Sequence, residues 1–469
     1  MFFKYIYILF LINMVFSQSY FNRIQPEEIY LGDARSMSIG TISFTSNNSG
    51  LIINNPAHMS FVKNRINVDF DFELDVLSER RSNQFKDFFG SYIGQSDYVF
   101  NQTTSSRYSF SLILNTGSNS NKEKPWEFTE NLSIGLSYKP FSSFKYKYEE
   151  ELRGGWANDN ELGIKDPIIG YHIFNTSGEL YLQSIGFSYK VRKEDRKLKS
   201  IGFSFNQILP TEIKDEIDII EIYDECISEF EPPCDEPYIS SEDVLASMES
   251  FENTYNFNNT RGLFGLLNED TFFSIGINTK LMHQMFLSLS YESSVKLFSE
   301  NQDEINYPNI SDMVGLPQYI EFNDQNELEY LISGLKYYKP RITRIGISYY
   351  PKSMTNLLLA FEIENKYWKV KRNGMDNNIN QFKAGFEYDP FDSFPIRAGL
   401  VYNESLFNAI VPQTILTLGT GSKIGKMNID FALNYSMNKY RYLDIFPLIN
   451  DYYNSNCDLV SCDEVSESK

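Results

Sequence analysis

From Glu179 to Asn438 the chain repeats one pattern: two alternating apolar/polar segments, a very short turn between them, then a long polar stretch. In Arg341–Trp368 the second segment puts Leu357, Leu359, Phe361 and Ile363 on one face, with Ala360, Glu362 and Glu364 on the other. A period of two marks β-strands, and hairpins with short turns on one side predict an up-and-down antiparallel sheet. The strictest alternation lies earlier. Ile66, Val68, Phe70, Phe72, Leu74 and Val76 face Asn67, Asp69, Asp71, Glu73 and Asp75. That is about the length a tilted strand needs to cross a membrane.

The pattern predicts thirteen strands. The first three are Arg65–Leu77, Arg107–Asn115 and Leu132–Tyr148, the third interrupted at Lys139–Ser142 by a bulge or kink centred on Pro140 and Phe141. Hairpins follow: Leu180–Val191 with Ser200–Leu209, Phe272–Leu281 with Met285–Leu297, and Arg341–Tyr350 with Leu357–Tyr367. Gln381–Tyr388 with Pro395–Tyr402 and Pro412–Gly421 with Met427–Met437 complete the set. Long loops are expected at Ser78–Ser106 (with a short helix at Phe85–Ile93), Glu149–Glu179, Pro210–Thr271, Phe298–Pro340 and beyond Asn438. Bacterial single-chain barrels close with an even number of strands, so one downward strand is missing from the count. Either the reading frame stops before a closing strand or the N-terminal segment supplies it.

Targeting decides where such a sheet resides. Met1–Ser17 carries Lys4 and then the apolar run Tyr5–Phe16, which reads as a cleavable signal peptide; the residue after the cut, Gln18, is not a lipid-accepting Cys. No later run of about 18 apolar residues is present, so no transmembrane helix is expected. Mean hydropathy is only -0.35, as expected where each strand shows one face to lipid and one to a polar lumen. Aromatics make up 16% of the chain, with 32 Tyr and 38 Phe to supply interfacial girdles. Residues 18–61 differ in kind, being rich in small residues and turn formers; residues 62–437 form the barrel with its long loops, and 438–469 an acidic tail or last loop.

A net charge of -20 argues against nucleic acid as a partner. Nine acidic residues between Glu212 and Glu236 against a single Lys214 read as a solvated loop, with no EF-hand spacing. Cys226 with Cys234 and Cys457 with Cys462 are spaced for local disulfides, and the lack of nearby His weighs against zinc. His58, His172 and His283 accompany no nucleophile elbow, so no catalytic residue is expected and the chain reads as a non-enzyme. Gly419–Lys426 fails the phosphate-loop spacing and reads as a turn; no cofactor or metal is expected. The repeated Ile-Gly-Phe-Ser and Ile-Gly-Ile-Ser elements at Ile185, Ile201 and Ile345 read as wall packing, with Gly allowing curvature or close backbone approach.

Leu31–Arg35, Ile39-Gly40 and Asn55-Pro56-Ala57, leading straight into a strand, resemble the FadL-like long-chain fatty-acid transporters of bacterial outer membranes. Pro340–Pro351 with Trp368, and Phe394–Leu400 with Leu418–Gly421, look like the second half of that family. The resemblance implies a fourteen-stranded transmembrane barrel in the bacterial outer membrane, plugged by an N-terminal hatch. That hatch would include Gly32, Ala34, Arg35, Gly40, Asn55, Pro56 and Ala57. It also implies passage of hydrophobic, fatty-acid-like molecules through a kinked wall strand into outer-membrane lipid, with Pro140 and Phe141 as the candidate kink. A related group, the PorV-like barrels, keeps a similar hatch but serves protein secretion, so a protein partner docking on the outer loops is the alternative.

Overall fold

The computed structural model describes residues 27–47, 49–62, 64–86, 92–116, 131–153, 168–191, 197–209, 211–223, 245–257, 270–298, 336–354, 356–369, 376–390, 394–406, 412–425, 427–437, 439–443 and 464–468. The signal-peptide residues and Cys226, Cys234, Cys457 and Cys462 lie outside these. The described chain opens with β1 (Glu27–Glu28), α1 (Ala34–Ser38), a 3-10 turn at Ser43–Thr45, α2 (Ser49–Asn54) and a second 3-10 segment at Pro56–Phe61. Strands follow: β2 (Ile66–Lys86), β3 (Tyr92–Asn115), β4 (Leu132–Ser143), β5 (Tyr146–Arg153), β6 (Ile168–Ser177), β7 (Glu179–Lys190) and β8 (Leu198–Ile208). Next are β9 (Thr211–Tyr223), β10 (Leu245–Phe257), β11 (Thr271–Met282), β12 (Met285–Glu292), β13 (Val295–Phe298), β14 (Lys336–Lys339) and β15 (Arg341–Tyr349). The last are β16 (Leu357–Tyr367), β17 (Asn378–Tyr388), β18 (Ile396–Asn403), β19 (Gln413–Ile424), β20 (Met427–Ser436), β21 (Lys439–Leu443) and β22 (Glu464–Ser468).

One antiparallel sheet runs β20-β19-β18-β17-β16-β15-β12-β11-β8-β7-β4-β3-β2 and continues through β22 to β21. Its thirteen long strands correspond to those the alternation predicts, except that Leu132–Tyr148 and Met285–Leu297 each break and their ends, β5 and β13, join two other sheets. The fourteenth position is held by β22, which pairs Ser78–Arg81 of β2 on one side and Lys439–Leu443 of β21 on the other. Because β21 starts three residues after β20 ends, β22 bridges the two ends of the sheet at the long-loop end. The N-terminal segment does not take that place. Its β1 pairs with β4 instead.

Burial is inverted relative to a water-soluble protein. Phe70, Phe72, Phe110, Ile345, Phe361, Leu400 and Phe431 are exposed, while Ser188, Ser204, Ser274, Glu362 and Lys383 between them are buried. Exposed apolar and buried polar positions alternating along the long strands mean that the outer surface faces lipid and the inner surface a filled lumen. This is a membrane-spanning β-barrel sheet wrapped around its own N-terminal segment.

All five expected long loops contain strand: β14 lies in Phe298–Pro340 and pairs with β13, and β21 and β22 lie beyond Asn438. The proposed helix at Phe85–Ile93 is overturned: Phe85 lies in β2 and Tyr92 in β3, with Phe85 opposite Gly94, so Ser78–Ser106 is the long arm of a hairpin. Glu149–Glu179 and Pro210–Thr271 contain β5, β6, β9 and β10, which form a separate sheet in the order β10-β9-β6-β5. The acidic run is therefore not all solvated loop. Its first half is β9, paired on both sides, and Asp215 is buried and accepts a 2.6 Å hydrogen bond from Thr176.

Candidate functional site: an N-terminal plug and an apolar cluster at a break in the wall

The plug starts with short-range chemistry. Asp33 caps α1: its Oδ1 accepts from Ser36 N at 2.8 Å, and Ser36 Oγ accepts from Asp33 N at 3.0 Å. The second oxygen, Oδ2, accepts from Asn47 N at 2.7 Å and folds the next turn back. Arg35 is one residue from Ala34 at the start of α1, and its guanidinium makes a two-point contact with Glu387 of β17 at 2.7 and 2.8 Å. It also donates to Thr45 O at 2.8 Å and Asn47 Oδ1 at 3.0 Å. The planar fork binds both Glu387 oxygens in parallel while a third nitrogen reaches Thr45 and Asn47, a geometry the compact ammonium of a Lys does not match. Burial holds the Tyr30 hydroxyl well above its usual range, so it stays neutral among these groups.

Gly40 has φ +81°, and its amide donates to Thr417 Oγ1 at 2.9 Å. Here the plug backbone touches the wall directly. A Cβ on Gly399 would lie 2.2 Å from Gly40 N, and one on Gly385 2.2 Å from Ile39 O. The same holds around the lumen: a Cβ on Gly202 would meet Ala57 N at 2.3 Å, and one on Gly276 would meet Asn55 Oδ1 at 2.1 Å. Gly135 and Gly186 make room for Ile52 and Met59, Gly346 for Phe44, and Gly419 for Ser38. These glycines pair across strands, Gly135 with Gly186, Gly202 with Gly276 and Gly385 with Gly399. The repeated Gly in the strand sequences is thus a seat for the plug, by close approach rather than curvature.

Asn55, Pro56 and Ala57 sit on that seat. Asn55 ends α2 and donates through Nδ2 to Ser288 Oγ at 2.6 Å; Pro56 opens the 3-10 turn; Ala57 O accepts from Ser188 Oγ at 3.1 Å. Pro is well placed in a first turn, where no amide donor is required. His58 follows, with Nε2 3.1 Å from Ser288 Oγ and its ring 5.7 Å from both Phe44 and Phe61. Burial lowers its pKa to about 4, so it is neutral at pH 7.

Of the residues singled out by sequence, Gly32, Ala34, Arg35, Gly40, Asn55, Pro56 and Ala57 all lie in this enclosed segment. Pro140 and Phe141 lie elsewhere, at a discontinuity of the wall. β3 and β4 are paired only from Phe110–Asn115 with Ser133–Tyr138. Above that point β3 runs on to Tyr92, while β4 shifts register between Pro140 and Ser142 and leaves it. Pro140 carries no amide donor for a ladder, which suits it to the point where one strand edge is given up. The vacated edge of β4 is taken by the plug: Glu27 and Glu28 pair with Ser143 and Ser142, and Ile29 N donates to Phe141 O at 3.0 Å. Across the break, Arg107 of β3 reaches Glu179 of β7 at 3.1 Å.

Behind the break lies a large group of mutually packed apolar side chains, which sequence periodicity did not indicate. Phe141, Phe144, Leu180, Leu182, Ile208, Phe272 and Tyr337 gather there, with Leu31 and Ile53 contributed by the plug. Phe141 stacks near Phe272 at 6.0 Å and meets Tyr337 edge-on at 5.8 Å. Charges border the cluster. Lys339 Nζ lies 4.3 Å from the centre of the Phe272 ring and 2.9 Å from Glu292. Arg344 binds Glu292 and, at 2.6 Å, Glu364; Lys383 binds Glu364 at 2.7 Å and Glu362 at 3.1 Å. Lys366 binds Glu28 of the plug and lies 3.6 Å from Glu364. Arg344 and Glu364 are directly opposite across a hairpin, as are Glu362 and Lys383, so the register was the missing signal.

No family model matches the sequence, and no curated protein matches it. Solved structures do. The chain is similar over nearly its whole length to FadL-type structures. A Pseudomonas aeruginosa FadL homologue shares 12% identity, with 94% of this chain and 96% of that one covered and a TM-score of 0.48. The P. putida toluene transporter TodX gives the same identity, coverage and score. The Ralstonia pickettii toluene transporter TbuX gives 11% identity, 93% and 96% coverage and a TM-score of 0.41.

Proposed function

We propose that this protein is an outer-membrane channel that admits hydrophobic small molecules with fatty-acid-like apolar chains and releases them sideways into the lipid. The observation that carries this reading is the end of the β3–β4 ladder at Phe110 and Tyr138, with Phe141 of the departing strand packed in the apolar cluster behind it. A solute moving straight down the lumen would pass buried ion pairs and the seated plug, which is costly for an apolar molecule and for the charges it would desolvate. A sideways route leads past the apolar cluster, with Arg107, Glu179 and Glu28 at its edges. The short-turn end would face the periplasm and the long-loop end the exterior. Movement down a hydrophobic gradient needs no covalent step and no cofactor.

The test is uptake of an apolar fluorescent probe by liposomes containing the purified protein. Phe141→Asp places a charge in the cluster without touching the plug seat and is expected to lower the rate about tenfold or more while heat-modifiable migration persists. Unchanged uptake in that variant would remove the route from consideration.

A second reading, docking of a protein partner, rests on the four-stranded outer sheet, whose end strands β5 and β10 each have one ladder edge without a partner among the described residues. Stable co-purification of a protein that is lost when residues 245–257 are replaced by a short turn, with probe uptake absent, would favour it.

A further inference from the structure

We propose that Glu28 makes the site selective for uncharged apolar molecules and against carboxylates. This rests on the lateral-channel reading and names its substrate class. Glu28 is on the two-residue strand that replaces β3 beside β4, so it stands where the route crosses the wall. Its carboxylate reaches Lys366 on the far wall, β16, and occupies the place an anionic head group would take. Every other member of the bordering ion-pair set is more deeply buried. Lys339, Glu292 and Glu362 side chains are 1% exposed, against 24% for Glu28.

The charge balance closes. Among the described residues, the cations Lys339, Arg344, Lys366 and Lys383 are matched by the carboxylates Glu28, Glu292, Glu362 and Glu364. An incoming carboxylate beside Lys366 would be a fifth negative charge among these eight groups, whose four cations are already paired. It could enter only by expelling Glu28, which β1 holds in place through its backbone pairing. An alcohol or hydrocarbon of the same chain length meets no such barrier.

The prediction is read by native mass spectrometry of the full-length protein offered an equimolar mixture of 1-dodecanol and dodecanoate at pH 8. The wild type is expected to retain the alcohol about tenfold or more over the carboxylate. Glu28→Gln frees the charge on Lys366 and should move that ratio about tenfold toward dodecanoate. The double variant Glu28→Gln with Lys366→Met removes the freed charge and should move it back. Heat-modifiable migration reports that each variant is folded. Equal retention of the two ligands by the wild type, or an unchanged ratio in Glu28→Gln, overturns the selectivity proposal while leaving the channel in place. Retention of neither ligand overturns both.

Discussion

The two halves of this barrel solve opposite problems. At the short-turn end the wall is continuous from β2 to β20, and the plug is held by glycines, backbone hydrogen bonds and a bidentate ion pair. At the long-loop end the same strands separate: β4 leaves β3, the continuations of β4 and β8 join another sheet, and the gap is filled by two residues of the plug and an apolar cluster. Close backbone contact leaves no room for a guest, because a further fraction of an ångström of approach already costs repulsion. Apolar side chains in contact can part and re-form around a guest with little penalty. Under the lateral-channel reading proposed above, blockage and passage are assigned to different levels of the molecule.

The sharpest way to break this comparison is to put bulk on the seat. Gly399→Leu would drive a side chain into Gly40, and the expected result is a plug displaced at a cost above about 3 kcal/mol, since neither backbone can retreat. Limited proteolysis should then cleave within residues 27–62 while the barrel keeps its heat-modifiable migration. Gly425 is the control. It has φ +63° and nothing within 4 Å of an added Cβ, so Gly425→Asn should cost under about 1 kcal/mol. Equal protease resistance in Gly399→Leu and wild type would show that the seat does not hold the plug.

A smaller effect is expected from the ion pair. Arg35→Ala leaves Glu387 with Arg397 at 2.6 Å but loses four hydrogen bonds to the wall and to residues 45–47. About 2–3 kcal/mol of plug protection should go, seen as faster amide exchange across Ala34–Asn47. Arg35→Lys should recover less than half, because one ammonium cannot serve Glu387 and Thr45 together. Full recovery by Lys would mean that charge alone, not geometry, fixes this end.

How much of this was legible in the sequence follows the same division. Strict alternation in Ile66–Val76 and Leu357–Glu364 reveals strands because one face meets lipid. In β9 the acidic residues obscured a strand that its isoleucines, Ile213, Ile217, Ile219 and Ile222, would have supported. Charge density suggested solvent, yet neighbouring strands cover both edges of β9. The discontinuity at Pro140 was visible as a break in pattern. That Glu27 and Glu28 would fill it was not, since two residues carry no periodicity. The plug seat was half visible: glycines recurred from strand to strand, but only the packed segment shows that they admit another backbone.

The finest distinction between the two halves concerns His58, the titratable group on the seat's inner side. Its pKa in the folded state is about 4, lowered by burial, against about 6.5 when the plug is free in water. A depressed base favours the folded state above the unfolded pKa, because both forms are then neutral. As pH falls from about 6.5 toward about 4 the released plug binds a proton that the seated plug does not, so seating weakens. Between pH 8 and pH 5 the loss should not exceed about 2 kcal/mol, and it should flatten below pH 4. Amide protection of residues 49–62, corrected for the intrinsic pH dependence of exchange, should therefore fall in acid while that of β18 and β19, on the other side of the lumen from His58, changes less. His58→Phe keeps an aromatic ring between Phe44 and Phe61 and should abolish the loss of protection in acid. If that variant still loosens between pH 8 and pH 5, the proton is acting elsewhere, and the buried carboxylates beside the apolar cluster become the next groups to replace.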